Sequence, residues 1–278
     1  MKLVMTLLVR DEADILKAHI DYHLNQGVDK IIVMDNMSVD GTSDIIADYV
    51  TAGAVHFIYQ GRDDYSQGDW VTGMALTAVY QFGAEWVINS DADEFWWTDG
   101  RSLKDVLARE PGSASAVRVE RQNFIPRPDT VGPFWQRMEI RETRSFNAVG
   151  EPIPPKVIHR GEGNIRVEQG NHRVFRGEDP IYAAPCSLSI LHFPVRTEAQ
   201  LTNKIVKGGA AYARNPDLPQ HFGSAWRYLY DLYQKGQLSA YYHETLLSEE
   251  AVAAALRAGQ LVHDDRLKKV LETLYGNT

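Results

Sequence analysis

Two carboxylates separated by one small side chain, Asp91-Ala92-Asp93, follow directly on the apolar run 86–89. Hard divalent cations such as Mg2+ and Mn2+ take oxygen ligands and commonly keep the phosphate oxygens of a substrate in their shell. Two carboxylates at a strand end suit such an ion, and Ala92 leaves room for a ligand to come close. Asp91 and Asp93 are therefore the candidate metal ligands. A cation held there would neutralise a diphosphate as it departs. A bare Asp-x-Asp triplet is common and usually forms a solvated turn, so its weight here comes from position.

That position is set by the first hundred residues, which alternate between two hydrophobic periods. Apolar runs at 3–9, 30–34, 55–59 and 86–89 read as strands. Helical spacing separates them at 15–26, 42–49 and 66–82, with Asp14 as a cap of the first helix and Gly27 closing it. The order β-α-β-α-β-α-β predicts a parallel sheet with right-handed crossovers. Ligands of such sheets collect beyond the carboxyl ends of the strands. Arg10-Asp11-Glu12, Asp35-Asn36, Arg62-Asp63-Asp64 and Asp91-Ala92-Asp93-Glu94 all fall there. From 114 to 193 the pattern turns β-rich, with strands expected at 117–124, 135–140, 156–159, 164–167 and 187–193. Beyond 197 it is helical, at 198–213, 224–234, 249–258 and 264–275. The expected fold is α/β, a mostly parallel sheet flanked by helices with a β-rich extension. Residues 1–196 would form the catalytic core and 197–278 a helical region packed on it.

Composition excludes several classes. The chain has 278 residues, 44% of them hydrophobic, and a formal net charge of -8. An acidic balance argues against nucleic-acid binding, which wants a basic stripe. Cys186 is the only cysteine, so neither an intrachain disulfide nor a Cys-based zinc site can form. A reducing, cytoplasmic location is expected. No stretch approaches the length of a membrane span, and any membrane association is expected to be peripheral, at the inner face. His19 and His23 stand at i, i+4, but the residue after His19 is Ile20 and not Glu, so the zinc-protease pattern fails. They read as helix-surface and interface residues. Trp96-Trp97 and the tyrosines at 228, 230 and 233 read as packing.

The chain resembles the family 2-like glycosyltransferases of the GT-A fold, in the branch with a D-x-D-E-F motif. The residues that carry this are Leu8-Val9-Arg10-Asp11-Glu12-Ala13-Asp14, Tyr22-His23, Gly27-Val28, the run Met34 to Thr42, and Asp91-Ala92-Asp93-Glu94-Phe95. A later patch, Leu191 to Arg196 with Lys204 and Gly208, resembles the family's H-[FY]-x-x-R…K…G segment. One departure is Asp11, where many relatives carry Asn. The resemblance implies a nucleotide diphosphate sugar as donor, by family habit UDP-linked, with Mn2+ or Mg2+ as cofactor and a saccharide or other hydroxyl as acceptor. It places Val9, Arg10, Asp11, Glu12, Asp35, Asp91 and Ala92 at the nucleotide sugar, with Asp35 on the base. An Asx turn is the ordinary alternative for Asp35. Arg196 and Lys204 become candidate diphosphate contacts and His192 a third metal ligand, neutral imidazole being suited to Mn2+.

An inverting transferase needs a base for the acceptor hydroxyl, and Glu94, His172 and Asp179 are the candidates. Asn171 could line the acceptor site. Two other functions compete. A nucleotidyltransferase would want a glycine-rich loop after the first strand, which Leu8 to Glu12 lacks. A catalytically silent saccharide-binding protein would keep the fold without turnover.

Overall fold

The computed structural model describes residues 1–64, 66–129, 132–214 and 223–276. They divide into two compact units, discontinuous in sequence. The first holds Met1–Arg62, Ser66–Arg121 and Pro154–Ile190; the second holds Asp63–Tyr65, Gln122–Ile153 and Leu191–Thr278. The division differs from the single boundary expected near 196, because the chain leaves the first unit and re-enters it.

The first unit is the α/β part. It runs β1 (Leu3–Val9), α1 (Leu16–Asn25), β2 (Lys30–Asp35), α2 (Thr42–Thr51), β3 (Val55–Tyr59), α3 (Gln67–Phe82), β4 (Trp86–Asp91), β5 (Glu94–Trp97) and α4 (Leu103–Leu107). The order of the eight-stranded sheet is β3-β2-β1-β4, then β8 (Lys156–Arg160), β6 (Ala116–Asn123), β12 (Ala183–His192) and β5. The first four strands are parallel, as their alternation with helices predicts. The β-rich extension joins the same sheet, and β8 runs antiparallel to both β4 and β6. A separate three-stranded sheet is made by β9 (Ile165–Val167), β10 (Val174–Arg176) and β11 (Asp179–Pro180).

Burial explains the strands. Leu3, Val4, Met5, Leu7 and Val9 are all buried, as for a strand covered on both faces. Helix α3 lays Trp70, Val71, Met74, Ala75 and Ala78 against Val4, Ile32 and Val87. Each such side chain contributes about 1.5–3 kcal/mol on burial. The helix stops at Gly83, whose φ of 65° is the left-handed end that glycine supplies without strain. At the start of α1 no side chain caps the helix. The carbonyl of Glu12 accepts from the N–H groups of Ile15 and Leu16, taking the part expected of Asp14.

In the second unit, 135–140 is not one strand. Phe134–Arg137 forms a turn of helix, α5, and Ile140–Glu142 forms β7. Pro133 has no N–H for a ladder, and its fixed φ starts a helical turn instead. β7 pairs antiparallel with β13 (Leu261–His263). The helices are α6 (Glu198–Arg214), α7 (Ser224–Gln234), α8 (Leu238–Thr245), α9 (Glu249–Arg257) and α10 (Arg266–Gly276). Leu201, Ile205, Leu229, Leu238 and Tyr242 form the core of α6, α7 and α8. Gly208 and Gly209 let α7 come close: a Cβ on Gly209 would stand 2.6 Å from Tyr230. Tyr230 is partly buried against this core, whereas Tyr228 and Tyr233 are exposed at 40% and 41% while still touching Tyr241 and Tyr230 through their rings.

His159, in β8, is fully buried. Its Nδ1–H donates to the Arg160 carbonyl at 2.8 Å, and its Nε2 has no partner. Burial pushes its pKa down from 6.5 to about 4. A depressed histidine contributes stability above its unfolded pKa that is lost as pH falls toward the folded one. His159→Leu is expected to remove about 2 kcal/mol of the stability difference between pH 7 and pH 5, as read from urea denaturation at the two pH values.

Candidate functional site

Within the first unit, Asp91 is the last residue of β4, and the turn Ala92-Asp93 leads straight into β5. A buried polar layer fixes this turn from beneath. The Ser90 hydroxyl donates to the Asp91 carbonyl at 3.0 Å and accepts from Trp96 Nε1 at 2.9 Å. His19 Nε2 lies 3.3 Å from the same hydroxyl. Because the hydroxyl proton is already committed, Nε2 is the protonated nitrogen of His19. His23 Nε2 accepts from the Trp96 N–H at 3.1 Å, so its proton sits on Nδ1 and is donated to the His19 carbonyl at 2.8 Å. Burial pushes His19 down to about 3 and His23 well below its usual value, so both rings are neutral. Phe95 packs against both. The two histidines expected on the helix surface are thus fully buried under the Asp-Ala-Asp turn. Trp96 is buried with them and Trp97 stacks on Tyr22, which supports packing for this pair.

Above that layer stands a cluster of charges. Lys156 Nζ lies 2.5 Å from Asp91 Oδ2 and 3.3 Å from Glu94 Oε1. Arg121 reaches Glu94 Oε1 at 3.5 Å and also donates from Nε to the Pro154 carbonyl at 2.9 Å. The Asp91 N–H donates to Glu94 Oε2 at 3.3 Å, and Asn171 Nδ2 donates to Asp91 Oδ1 at 3.4 Å. The antiparallel register of β4 with β8 pairs Ile88 with Ile158. Extended by two residues, it brings Lys156 opposite Ser90. Glu94 is wholly buried, and burial holds its pKa above the usual carboxylate range despite the two cations. Asp91 keeps 35% of its side chain exposed and Lys156 only 2%. Asp93 is 2% exposed. Glu94 is therefore a structural partner of Lys156 and Arg121 rather than a base within reach of an acceptor.

The loops after β1 and β2 clasp each other. The Asp11 N–H donates to Ser38 Oγ at 2.9 Å, and Asp11 Oδ1 accepts from the Val39 N–H at 2.7 Å. The Glu12 and Ala13 N–H groups donate to Thr42 Oγ1 and Asp40 Oδ2. Asp11 and Met37 both have φ near +60°, a strained choice that marks a built loop. Asp35 is buried; its Oδ1 accepts from the Ser38 N–H at 3.0 Å and its Oδ2 from Ser43 Oγ at 2.7 Å. The carboxylate expected on the nucleotide base is instead spent on its own turn. Val9 is buried below this edge, and Arg10 and Glu12 are half-buried on it.

The remaining expected residues divide. His172 stays in the first unit, half-buried, with Nδ1–H donating to the Pro155 carbonyl at 2.8 Å. Burial, with Lys156 and Arg121 behind it, holds its pKa well below 6.5 and makes it a weak base. Asp179 is exposed in β11, on a cleft it shares with Arg176 and Tyr182. Arg196, in the second unit, is fully buried; its NH1 donates to the Phe193 carbonyl, and its own carbonyl accepts from Arg137. That burial corrects its assignment to diphosphate. Lys204 lies over the Trp226 ring at 5.7 Å. His192 is buried with Nδ1 at 2.7 Å from Asn123 Oδ1. Asp91 and Asp93 belong to the first unit and His192 to the second; among the described residues no group of three or more His, Cys, Asp or Glu side chains is arranged to hold a metal. Sequence reading missed Lys156, Arg121 and the buried role of His19 and His23. The one signal for Lys156 was a lone lysine opening an apolar strand after Pro154-Pro155.

Residues 4–176 match the profile of glycosyltransferase family 92, and the chain belongs to that family. The coarser resemblance drawn from the motifs, to glycosyltransferases, holds; the family is 92. Lipopolysaccharide core biosynthesis glycosyltransferase LpsC of Rhizobium meliloti (strain 1021) is 27% identical over 165 residues, 59% of this chain and 53% of that protein. The chain thus spans about half the length of the curated relative it matches. TarS 1-349 of S. aureus in complex with UDP-GlcNAc is similar with a TM-score of 0.44 and 12% identity, over 100% of this chain and 92% of that chain. Glucosyl-3-phosphoglycerate synthase from Mycobacterium tuberculosis, in complex with Mn2+, UDP and glucosyl-3-phosphoglycerate, gives 0.29 and 17% over 46% of this chain and 44% of that chain. Both structural likenesses are distant. No helix among the described residues is long and apolar enough to cross a membrane.

Removing one partner of a buried charge cluster leaves the others uncompensated. Glu94→Ala is expected to lower stability by about 3–5 kcal/mol in chemical denaturation, and Glu94→Gln by clearly less, because the amide still accepts from Lys156. Equal losses in the two variants would show that the buried charges are not what Glu94 serves.

Proposed function

We propose that this chain transfers a sugar from a nucleotide diphosphate sugar, UDP-linked, to a saccharide hydroxyl in polysaccharide or glycoconjugate synthesis. The observation that carries the reading is the Asp91-Ala92-Asp93 turn at the carboxyl end of β4, beside the clasped loops that end the parallel strands β1 and β2. Family membership supports sugar transfer. The likeness to a relative named for lipopolysaccharide core biosynthesis favours a lipopolysaccharide core saccharide as acceptor.

The donor set fits Mn2+ or Mg2+. It consists of hard carboxylate oxygens, Asp91 partly exposed at the turn and Asp93 only 2% exposed, so Asp91 offers the open oxygens and Asp93 would have to turn outward to join it. Two carboxylates are fewer ligands than such an ion takes, and the usual remedy is a shell completed by substrate phosphate and water. Asp91 and Asp93 would hold the ion, which when bound supplies charge neutralisation of the diphosphate leaving group. The chain's own residues orient the site: Lys156 and Asn171 fix Asp91, and the Ser90-His19-Trp96 layer fixes the turn. The clasped loops 10–14 and 35–42 present backbone and side-chain groups of Arg10, Asp11 and Glu12 at the nucleotide edge, while Asp35 shapes that edge from within. Of the base candidates, His172 retains a neutral nitrogen and Asp179 an exposed carboxylate.

The test is sugar transfer, or donor hydrolysis, with a panel of nucleotide sugars in Mn2+ and in EDTA. Asp91→Asn and Asp93→Asn are each expected to lower kcat/KM at least about 100-fold. Turnover that survives EDTA and both substitutions would sink the metal reading. Saccharide binding with no turnover of any donor would favour the catalytically silent alternative.

A further inference from the structure

The position of Lys156 has a consequence for how Asp91 can act. Its ammonium is 2.5 Å from Asp91 Oδ2, and its side chain is only 2% exposed, so it cannot itself reach a substrate. Glu94 Oε1, also buried, stands 3.3 Å away and helps to keep it in place. The other oxygen of Asp91, Oδ1, faces Asn171 Nδ2 at 3.4 Å. Asn171 is itself 2% exposed, has φ of 61°, and its Oδ1 has no hydrogen-bond partner. A buried amide held in a left-handed conformation, with half of its polar capacity unused, is costly unless the site needs it there.

We propose that Lys156 is a positioning residue that occupies one oxygen of Asp91 and so leaves that carboxylate a single oxygen, Oδ1, which a divalent cation would share with the long hydrogen bond from Asn171. The proposal rests on the metal reading of Asp91 and Asp93 given above and deepens it. With Lys156 in place, Asp91 is at most a one-oxygen ligand carrying a partly neutralised charge. The protein alone then holds the cation weakly, and the cation binds together with the nucleotide diphosphate, whose oxygens supply the missing charge and ligands. Lys156 thereby couples occupation by cation to occupation by donor. Asn171 holds the remaining oxygen in line without adding charge.

The experiment measures Mn2+ binding by electron paramagnetic resonance, with and without UDP, for the wild-type chain, Lys156→Met and Lys156→Arg. Wild type is expected to bind Mn2+ weakly alone and much more tightly with UDP. Removing a unit positive charge one carboxylate away from a divalent ion strengthens its binding about tenfold or more even under water-like screening. Lys156→Met should therefore tighten Mn2+ binding without UDP by about that factor, shrink the enhancement by UDP, and lower kcat. Lys156→Arg should restore the wild-type pattern. A residue that only supports the fold would weaken binding when removed, never tighten it. Because Lys156→Met removes one of the two cations beside Glu94, the double variant Lys156→Met, Glu94→Gln serves as the folded comparison, with the same tightening expected. If wild type binds Mn2+ with UDP but the folded variants bind Mn2+ alone no more tightly, the role of Lys156 is overturned and the metal reading stands. If wild type binds no Mn2+ with or without UDP, the metal reading fails and the proposal fails with it.

Discussion

The ion pair between Lys156 and the carboxylates of Asp91 and Glu94 is the constraint around which the first unit is arranged. An ammonium with 2% exposure is tolerable only where carboxylates meet it at close range. Asp91 meets it because β4 ends there, and Glu94 meets it because the two-residue turn Ala92-Asp93 sends β5 back into the sheet. Lys156 arrives through the antiparallel register of β8 on β4, and Arg121 arrives through β6 on β8. The β-rich extension is thus the means by which two cations are delivered to the carboxyl edge of a parallel sheet. Without it, Asp91, Asp93 and Glu94 would be three carboxylates within four residues.

The neutral layer beneath does complementary work. Ser90, His19, His23 and Trp96 saturate most of one another's donors and acceptors, His19 Nδ1 excepted. Uncharged histidines suit this role because complete burial strips an imidazolium of its hydration, a cost that the nearby carboxylates Asp93 and Asp91 do not offset at His19. A turn that must present carboxylates in a fixed geometry gains from support whose own rotamers are locked. Here the support comes from α1, the helix after the first strand, so the first βα unit and the fourth strand are fixed as one piece.

How much of this could be read from the sequence follows from the range of the interactions. The parallel half was legible because burial on both faces imposes continuous apolar runs, and crossover helices impose their own period. The acidic turn was legible because its residues are contiguous. The charge cluster was not, since Lys156 is 65 residues from Asp91 and meets it only through a register that no local pattern encodes. Asp35 illustrates the opposite error: family resemblance suggested a ligand contact, while the ordinary Asx-turn chemistry of Asp35, Ser38 and Ser43 was what the fold used. Arg196 and His192 are less exposed than expected for a related reason. A charged or imidazole side chain next to a strand end looks available in one dimension, yet both are buried in the second unit on partners of their own. The split of the chain into interleaved units was likewise invisible, because composition changes at 197 but compactness does not.

Charge decides what such a site can accept. The five groups at the turn, Asp91, Asp93, Glu94, Lys156 and Arg121, carry one formal negative charge in excess. Burial raises the pKa of Glu94, and even a protonated Glu94 would bring the set only to neutrality. Arg10 at the neighbouring strand end is offset by Asp11 and Glu12 beside it. No state of these residues offers a net positive field to a diphosphate, in a chain whose overall charge is already -8. On the metal reading proposed above, a cation that arrives with the donor supplies the positive charge these residues lack. On the role proposed for Lys156, tying up one oxygen of Asp91 makes a bare cation a poor guest as well. Donor and cation are then each disfavoured alone and compatible together, which is the electrostatic logic of the metal-nucleotide pairing we propose.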